Sequence, residues 1–184
     1  MSCAFPFRFK SRMFAGVLSF GVAFGAEGDP RRAGDVLGRD LDYPGLGSFG
    51  HLGIYGGSRV LECLNEPEPI QKNSLHSFKT LTKYWGARYI PGKHDFRKVV
   101  AKGWAQRNFD PSFTLSWDYQ KGRYLNKKVW NPETREWEKR TVMVPAKFRC
   151  DTFVRFAFKE GIGIDLGAKK TLPSIVFGNC PEAR

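Results

Sequence analysis

Residues 50–64, Gly-His-Leu-Gly-Ile-Tyr-Gly-Gly-Ser-Arg-Val-Leu-Glu-Cys-Leu, alternate apolar positions on either side of a Gly-Gly pair. A period of two with glycines at the reversal is the pattern of a β-hairpin, with one strand from His51 and a returning strand over Ser58–Leu64. Around it, Ala33–Leu37 reads as a turn feeding a short strand, and 41–50 as a Gly- and Pro-rich loop. Asn65–Gln71 carries two prolines and cannot continue the ladder. Leu75, Phe78, Leu81 and Trp85 have helical spacing and predict a helix over Ser74–Trp85, with a further extended piece from Tyr89 and Ile90.

The chain is 184 residues and 20.9 kDa, one domain's worth. Thirty Lys and Arg against 18 Asp and Glu give a formal charge of +12, which excludes an acidic solvating protein. It favours an anionic partner: nucleic acid, a membrane surface or an acidic polymer. Much of the excess lies over residues 97–149, where thirteen Lys and Arg stand against five Asp and Glu, interleaved with tryptophan and tyrosine. Within it, Lys127–Val144 predicts a second hairpin around Pro132–Arg135.

The first 26 residues have a different character. Arg8, Lys10 and Arg12 precede a short apolar run over Met13–Phe24, and the small residues Ala23, Gly25 and Ala26 follow. The run falls short of the ~20 residues a bilayer span requires. This is the layout of a secretory signal peptide, with cleavage expected after Gly25 or Ala26 and an uncleaved anchor as the alternative. It implies a periplasmic or secreted protein whose remaining residues, 27–184, form a single domain. Removing the leader removes Cys3 and leaves Cys63, Cys150 and Cys180, an odd number. The economical expectation is a Cys63–Cys180 disulfide with Cys150 as the remaining thiol; the alternative is three reduced cysteines in a cytoplasmic protein whose N-terminus is not a signal. No two cysteines have metal-ligand spacing and His51, His76 and His94 are scattered, so neither a metal nor a cofactor is expected.

The chemistry lies in two places about a hundred residues apart. Cys150–Glu160 predicts a helix with Phe153, Val154, Ala157 and Phe158 as its apolar stripe and Gly161 as its cap. A thiol at a helix N-terminus has its thiolate stabilised by unpaired N–H groups, which lowers its pKa. His51 can serve such a thiol as a base, and Glu62, on the partner strand, can orient the imidazole. Alternation puts Glu62 and Cys63 on opposite faces. Asp35 and Asp40 are the other orienting candidates. The backbone N–H groups of Cys150 and Asp151 are placed for an oxyanion. Tyr55, Trp117 and Tyr119 are the aromatic candidates for substrate binding. The tail from Lys169 shows no regular pattern.

The order GDVLGRD, GHLGIYGG, RVLECL and finally RCDTFVRFAFKEGIGI resembles the circularly permuted, YiiX-like branch of the NlpC-type papain-like cysteine hydrolases. In that branch the His strand and a polar residue precede the Cys helix, matching His51, Glu62 and Cys150. The resemblance covers roughly residues 34–165. It implies an α+β fold: a small antiparallel sheet or half-barrel with the Cys150 helix packed on it, and the Ser74 helix and 127–144 hairpin peripheral. It also implies cleavage of an amide bond, in peptidoglycan peptide stems. Two features depart from it: Asp151 stands where a serine is frequent, and the basic insert over 97–149 has no counterpart. A lipid acyl hydrolase or acyltransferase using the same site, touching a membrane surface, is the alternative. A non-enzymatic nucleic-acid binder ranks below both.

Overall fold

The computed structural model describes residues 28–41, 49–167 and 170–181. The expected signal peptide and most of the 41–50 loop lie outside them. The architecture is α+β, built on a five-stranded antiparallel sheet. Its strands are β1 (Val36–Arg39), β2 (His51–Tyr55), β3 (Arg59–Cys63), β4 (Ile70–Ser74) and β5 (Tyr84–Arg88), in the order β4-β3-β2-β1-β5. The β2–β3 hairpin forms as the alternation predicts, in the register Gly53 to Glu62 and Tyr55 to Val60. Its turn runs through Gly57 at φ +99°, a conformation that glycine adopts without strain.

Strand alternation divides the buried side chains between the two sheet faces. Val36, Leu52, Ile54, Leu61 and Cys63 enter the larger core, with Phe148, Phe153, Phe156 and Phe158. Leu37, Val60, Phe78, Tyr84 and Ala87 form a smaller cluster. Helix α1 (Leu75–Leu81) contributes Phe78 to that second cluster. Its start is fixed by Ser74, whose Oγ accepts the N–H of Ser77 at 2.9 Å.

Several local expectations need correction. The Ser74 helix stops at Leu81, because Trp85 belongs to β5: it packs on Phe177 and donates Nε1–H to Asp40 at 2.6 Å. The extended piece therefore starts at Tyr84, ahead of Tyr89. After the two prolines the chain returns to the sheet as β4, pairing Cys63 with Ile70. The tail is not irregular throughout, since Pro173–Gly178 forms a short helix with Val176 and Phe177 buried.

The basic stretch is partly core. Helix α2 (Arg97–Ala105) packs on α3 (Cys150–Ile162), the helix opened by the cysteine. Gly161 is not the cap but the contact: a Cβ there would sit 2.7 Å from Val99 Cα. The cap is Gly163, at φ +76°. Phe153, Val154, Ala157 and Phe158 are all fully buried, each large side chain contributing ~1.5–3 kcal/mol. Between the helices, β6 (Ser112–Phe113) pairs in parallel with β9 (Lys147–Phe148), just before α3. The 127–144 hairpin is present and longer than expected, as β7 (Arg123–Asn131) and β8 (Glu136–Val144). No other strand or helix among the described residues packs along it.

The three thiols are unbridged, which corrects the expected Cys63–Cys180 disulfide. Two of them have carbonyl acceptors in the core: the Cys63 thiol approaches the Phe148 carbonyl at 3.7 Å, and Cys180 that of Val176 at 3.4 Å.

Candidate active site

His51 opens β2 and Glu62 lies near the end of β3, both on the sheet face of Phe78 and opposite the face covered by α3. Their proximity follows from hairpin register. Glu62 pairs across the ladder with Gly53, which leaves His51 diagonal to it on the same face. Gly53 has no side chain to block them; a Cβ there would meet Val60 Cγ1 at 2.5 Å. His51 Nε2 and Glu62 Oε2 are 2.8 Å apart, with both side chains buried.

Glu62 is held from two further sides. Asn73 Nδ2 donates to its Oε1 at 3.0 Å, and the Arg39 guanidinium stands 3.7 Å from Oε2. Arg39 is itself buried, directly opposite His51 in the β1–β2 register, with its guanidinium 5.2 Å from the Phe78 ring centre. Phe78 in turn lies 5.9 Å from the imidazole. A buried carboxylate with three polar neighbours is fixed in position, and so fixes the ring it binds.

Cys150 comes from the other side of the sheet. Its sulfur is hydrogen-bonded by the backbone N–H of Leu52, the residue after His51, and by that of Asp151. The N-terminus of α3 therefore meets β2 at the strand end where the imidazole stands. Cys150, His51 and Glu62 line one cleft of about 490 Å³. Glu62 engages Nε2, which leaves Nδ1 as the nitrogen available for exchange with a thiol.

The electrostatics differ from the sequence expectation. Burial pushes the Cys150 thiol up to about 12, and the adjacent Asp151 carboxylate adds to the rise, against the Leu52 N–H and the Arg149 guanidinium. Burial also holds the His51 imidazole below its ordinary value, despite the opposing pull of Glu62. The cleft at rest thus holds a neutral thiol and a neutral imidazole, not the preformed thiolate that a helix N-terminus alone would favour. Desolvation outweighs the helix dipole here.

Asp151 explains how the site tolerates a carboxylate beside its sulfur. Its side chain is fully buried and gripped by Arg149 through two bonds of 2.5 and 2.6 Å. Arg149 also donates to the Thr171 carbonyl and stacks on Trp117, 4.2 Å from the ring centre. Thr152 Oγ1 accepts the Arg149 N–H at 2.8 Å, anchoring the start of the helix. The first intrahelical bond is Phe153 N–H to the Arg149 carbonyl, so the N–H groups of Cys150 and Asp151 fall before the ladder begins.

The structure brings Cys150, His51 and Glu62 together and leaves the three aromatic candidates elsewhere. Tyr55 is at the far end of β2 and donates its hydroxyl to the Gly57 carbonyl at 2.6 Å. Trp117 and Tyr119 line a separate cavity of about 310 Å³ beside Arg155 and Asp165. They follow β6 along the outside of α3, so they border the Arg149 platform and not the cleft. Asp35 and Asp40 do not orient the imidazole: Asp35 accepts the N–H groups of Arg31 and Arg32, and Asp40 binds Trp85. Sequence reasoning missed Arg39 and Asn73. Extending the hairpin register one strand outward on each side would have found both. Among the described residues no cluster of metal-ligating side chains occurs. No protein-family model, no curated protein and no solved structure matches this chain.

Proposed function

We propose that the chain is an exported cysteine hydrolase of the permuted NlpC-like, papain-like type, cleaving an amide bond in peptidoglycan peptide stems. One observation carries the reading: the Cys150 sulfur accepts the Leu52 N–H in the same cleft that holds the His51 imidazole fixed by Glu62. The cleft suits a peptide. Gln71, Asn73 and Ser77 offer amide and hydroxyl partners, while Leu64, Leu81 and Phe113 supply apolar walls.

In the proposed reaction, His51 takes the thiol proton as the sulfur attacks the carbonyl carbon. Proton removal and attack are concerted, because the buried thiol does not ionise unaided. The N–H groups of Cys150 and Asp151 receive the developing oxyanion. The Asp151 N–H already faces the sulfur, so it needs little movement to serve there. Imidazolium formation is supported by Glu62, and the ring then protonates the leaving amine. Water, deprotonated by the same imidazole, hydrolyses the thioester and restores the thiol.

Digestion of purified peptidoglycan under reducing conditions tests this. Native protein should release new amine-bearing fragments, separable by chromatography, and Cys150→Ala should release none. Phospholipid hydrolysis without any muropeptide product would transfer the site to the acyl-hydrolase reading.

A further inference from the structure

The β7–β8 ribbon has two unlike faces. Register places Tyr124 opposite Met143, Asn126 opposite Thr141, Lys128 opposite Lys139, and Trp130 opposite Trp137. These pairs share one face, and no strand residue on it is acidic. The other face carries Lys127 opposite Arg140, but there Glu138 accepts from Arg140 at 2.8 Å and from Asn131 at 2.6 Å. That face carries acids of its own; the first has none.

The acid-free face is also the exposed aromatic one. Tyr124, Trp130 and Trp137 are 62%, 47% and 65% exposed. Trp130 and Trp137 meet edge to face at 5.7 Å. Like charges directly opposite one another, as at Lys128 and Lys139, destabilise a strand pair. Such a pair is offset when an anion bridges it. Between the lysines and Tyr124, Asn126 and Thr141 hydrogen-bond each other at 2.9 Å and present an amide and a hydroxyl. At ~3.3 Å per residue the aromatic ends of the face are about 20 Å apart.

We propose that this face binds an acidic glycan strand, laid along the ribbon. Sugar rings stack on Trp130, Trp137 and Tyr124, carboxylate or phosphate groups bridge Lys128 and Lys139, and hydroxyls reach Asn126 and Thr141. The choice of a cell-wall polymer rests on the hydrolase reading above. Two features speak against a bilayer as the occupant. The centre of the face is polar, and the turn beyond the tryptophans carries Glu133 and Arg135, which insertion would have to bury. The inclined tryptophan pair also leaves no slot between its rings for an intercalated base.

The test measures co-sedimentation of the full chain with purified sacculi, using Cys150→Ala throughout so that cleavage plays no part. Lys128→Gln with Lys139→Gln is compared with Lys127→Gln with Arg140→Gln, an identical change in net charge on the opposite face. The first pair should weaken attachment about tenfold and the second by less than about twofold. Ellipticity from the Trp130–Trp137 pair reports that the ribbon is intact in both, and Trp130→Phe should weaken binding without loss of the strands. Equal losses from the two lysine pairs would overturn the proposal. So would tighter binding to vesicles of anionic phospholipid or to single-stranded DNA than to sacculi. Because no turnover is measured, attachment by the expected face stands even where peptidoglycan proves not to be cleaved.

Discussion

Glu62 and Lys128 are both charged residues of β-strands, with opposite surroundings. Glu62 is 2% exposed and meets His51, Asn73 and Arg39. Lys128 is exposed and faces a second lysine. Around Glu62, both carboxylate oxygens are positioned by groups that would themselves be costly to leave unmatched, so the site is rigid and intolerant of change. In the ribbon, solvent screens each charge and substitution changes what the surface attracts more than whether it folds. A molecule divided in this way can hold chemistry in one part and attachment in the other.

The largest effect that would sharpen this contrast is on stability. Phe153 is fully buried against Phe148, at 5.5 Å and edge to face, and sits one turn behind Cys150. Phe153→Ala should cost ~3–5 kcal/mol, the range for an aromatic truncated in a close-packed core. Leu125→Ala, in the half-buried face of the ribbon, should cost less than about 1 kcal/mol. Urea denaturation followed by far-ultraviolet circular dichroism compares them directly. Similar losses would mean that the ribbon is integral to the core, and the contrast would fail.

Next in size is an effect on turnover. Glu62→Gln keeps the shape and a hydrogen bond to the imidazole but removes the charge that supports the imidazolium. Turnover of a soluble stem peptide should fall about a hundredfold, within the range for a disabled general base. Lys127→Gln with Arg140→Gln should leave the same assay nearly unchanged. A Glu62→Gln protein of native activity would show that the carboxylate only packs the strands.

Much of the site was legible because its geometry is local. The His51–Glu62 pair follows from a single hairpin whose glycine turn fixes the register, and Cys150 follows from a helix with an unbroken apolar stripe. Arg39 and Asn73 were hidden because they enter from the flanking strands, and β4 lies behind two prolines that break the pattern. Trp85 misled because a strand residue fell at helical spacing. The thiol's acidity was misjudged for a different reason: a helix N-terminus is visible in a sequence, whereas burial among Phe148, Phe153 and their neighbours is a property of the fold. The ribbon's strands were legible, and its two unlike faces emerged only with the register.

The smallest expected effect concerns pH and again divides core from ribbon. His51 is held below its ordinary 6.5, so as pH falls below that value the unfolded chain binds a proton that the folded chain resists. Stability then falls as pH drops, and so should the proposed turnover, in which His51 acts as a neutral base. The thiols act at the other end. Burial raises Cys150 and Cys180 from 9.0 to about 12 and raises Cys63 as well, so above pH 9 the unfolded chain loses protons that the folded one keeps. Stability should fall there too, by about 1 kcal/mol per thiol at pH 10. Cys180 is outside the cleft, and Cys180→Ala can be studied without touching the chemistry. The variant should be less stable at neutral pH, yet lose about 1 kcal/mol less than native protein between pH 8 and 10. Denaturation curves at the two pH values read the difference. An identical alkaline loss in both proteins would show that the Cys180 thiol ionises in the folded state, contrary to its burial against Val176.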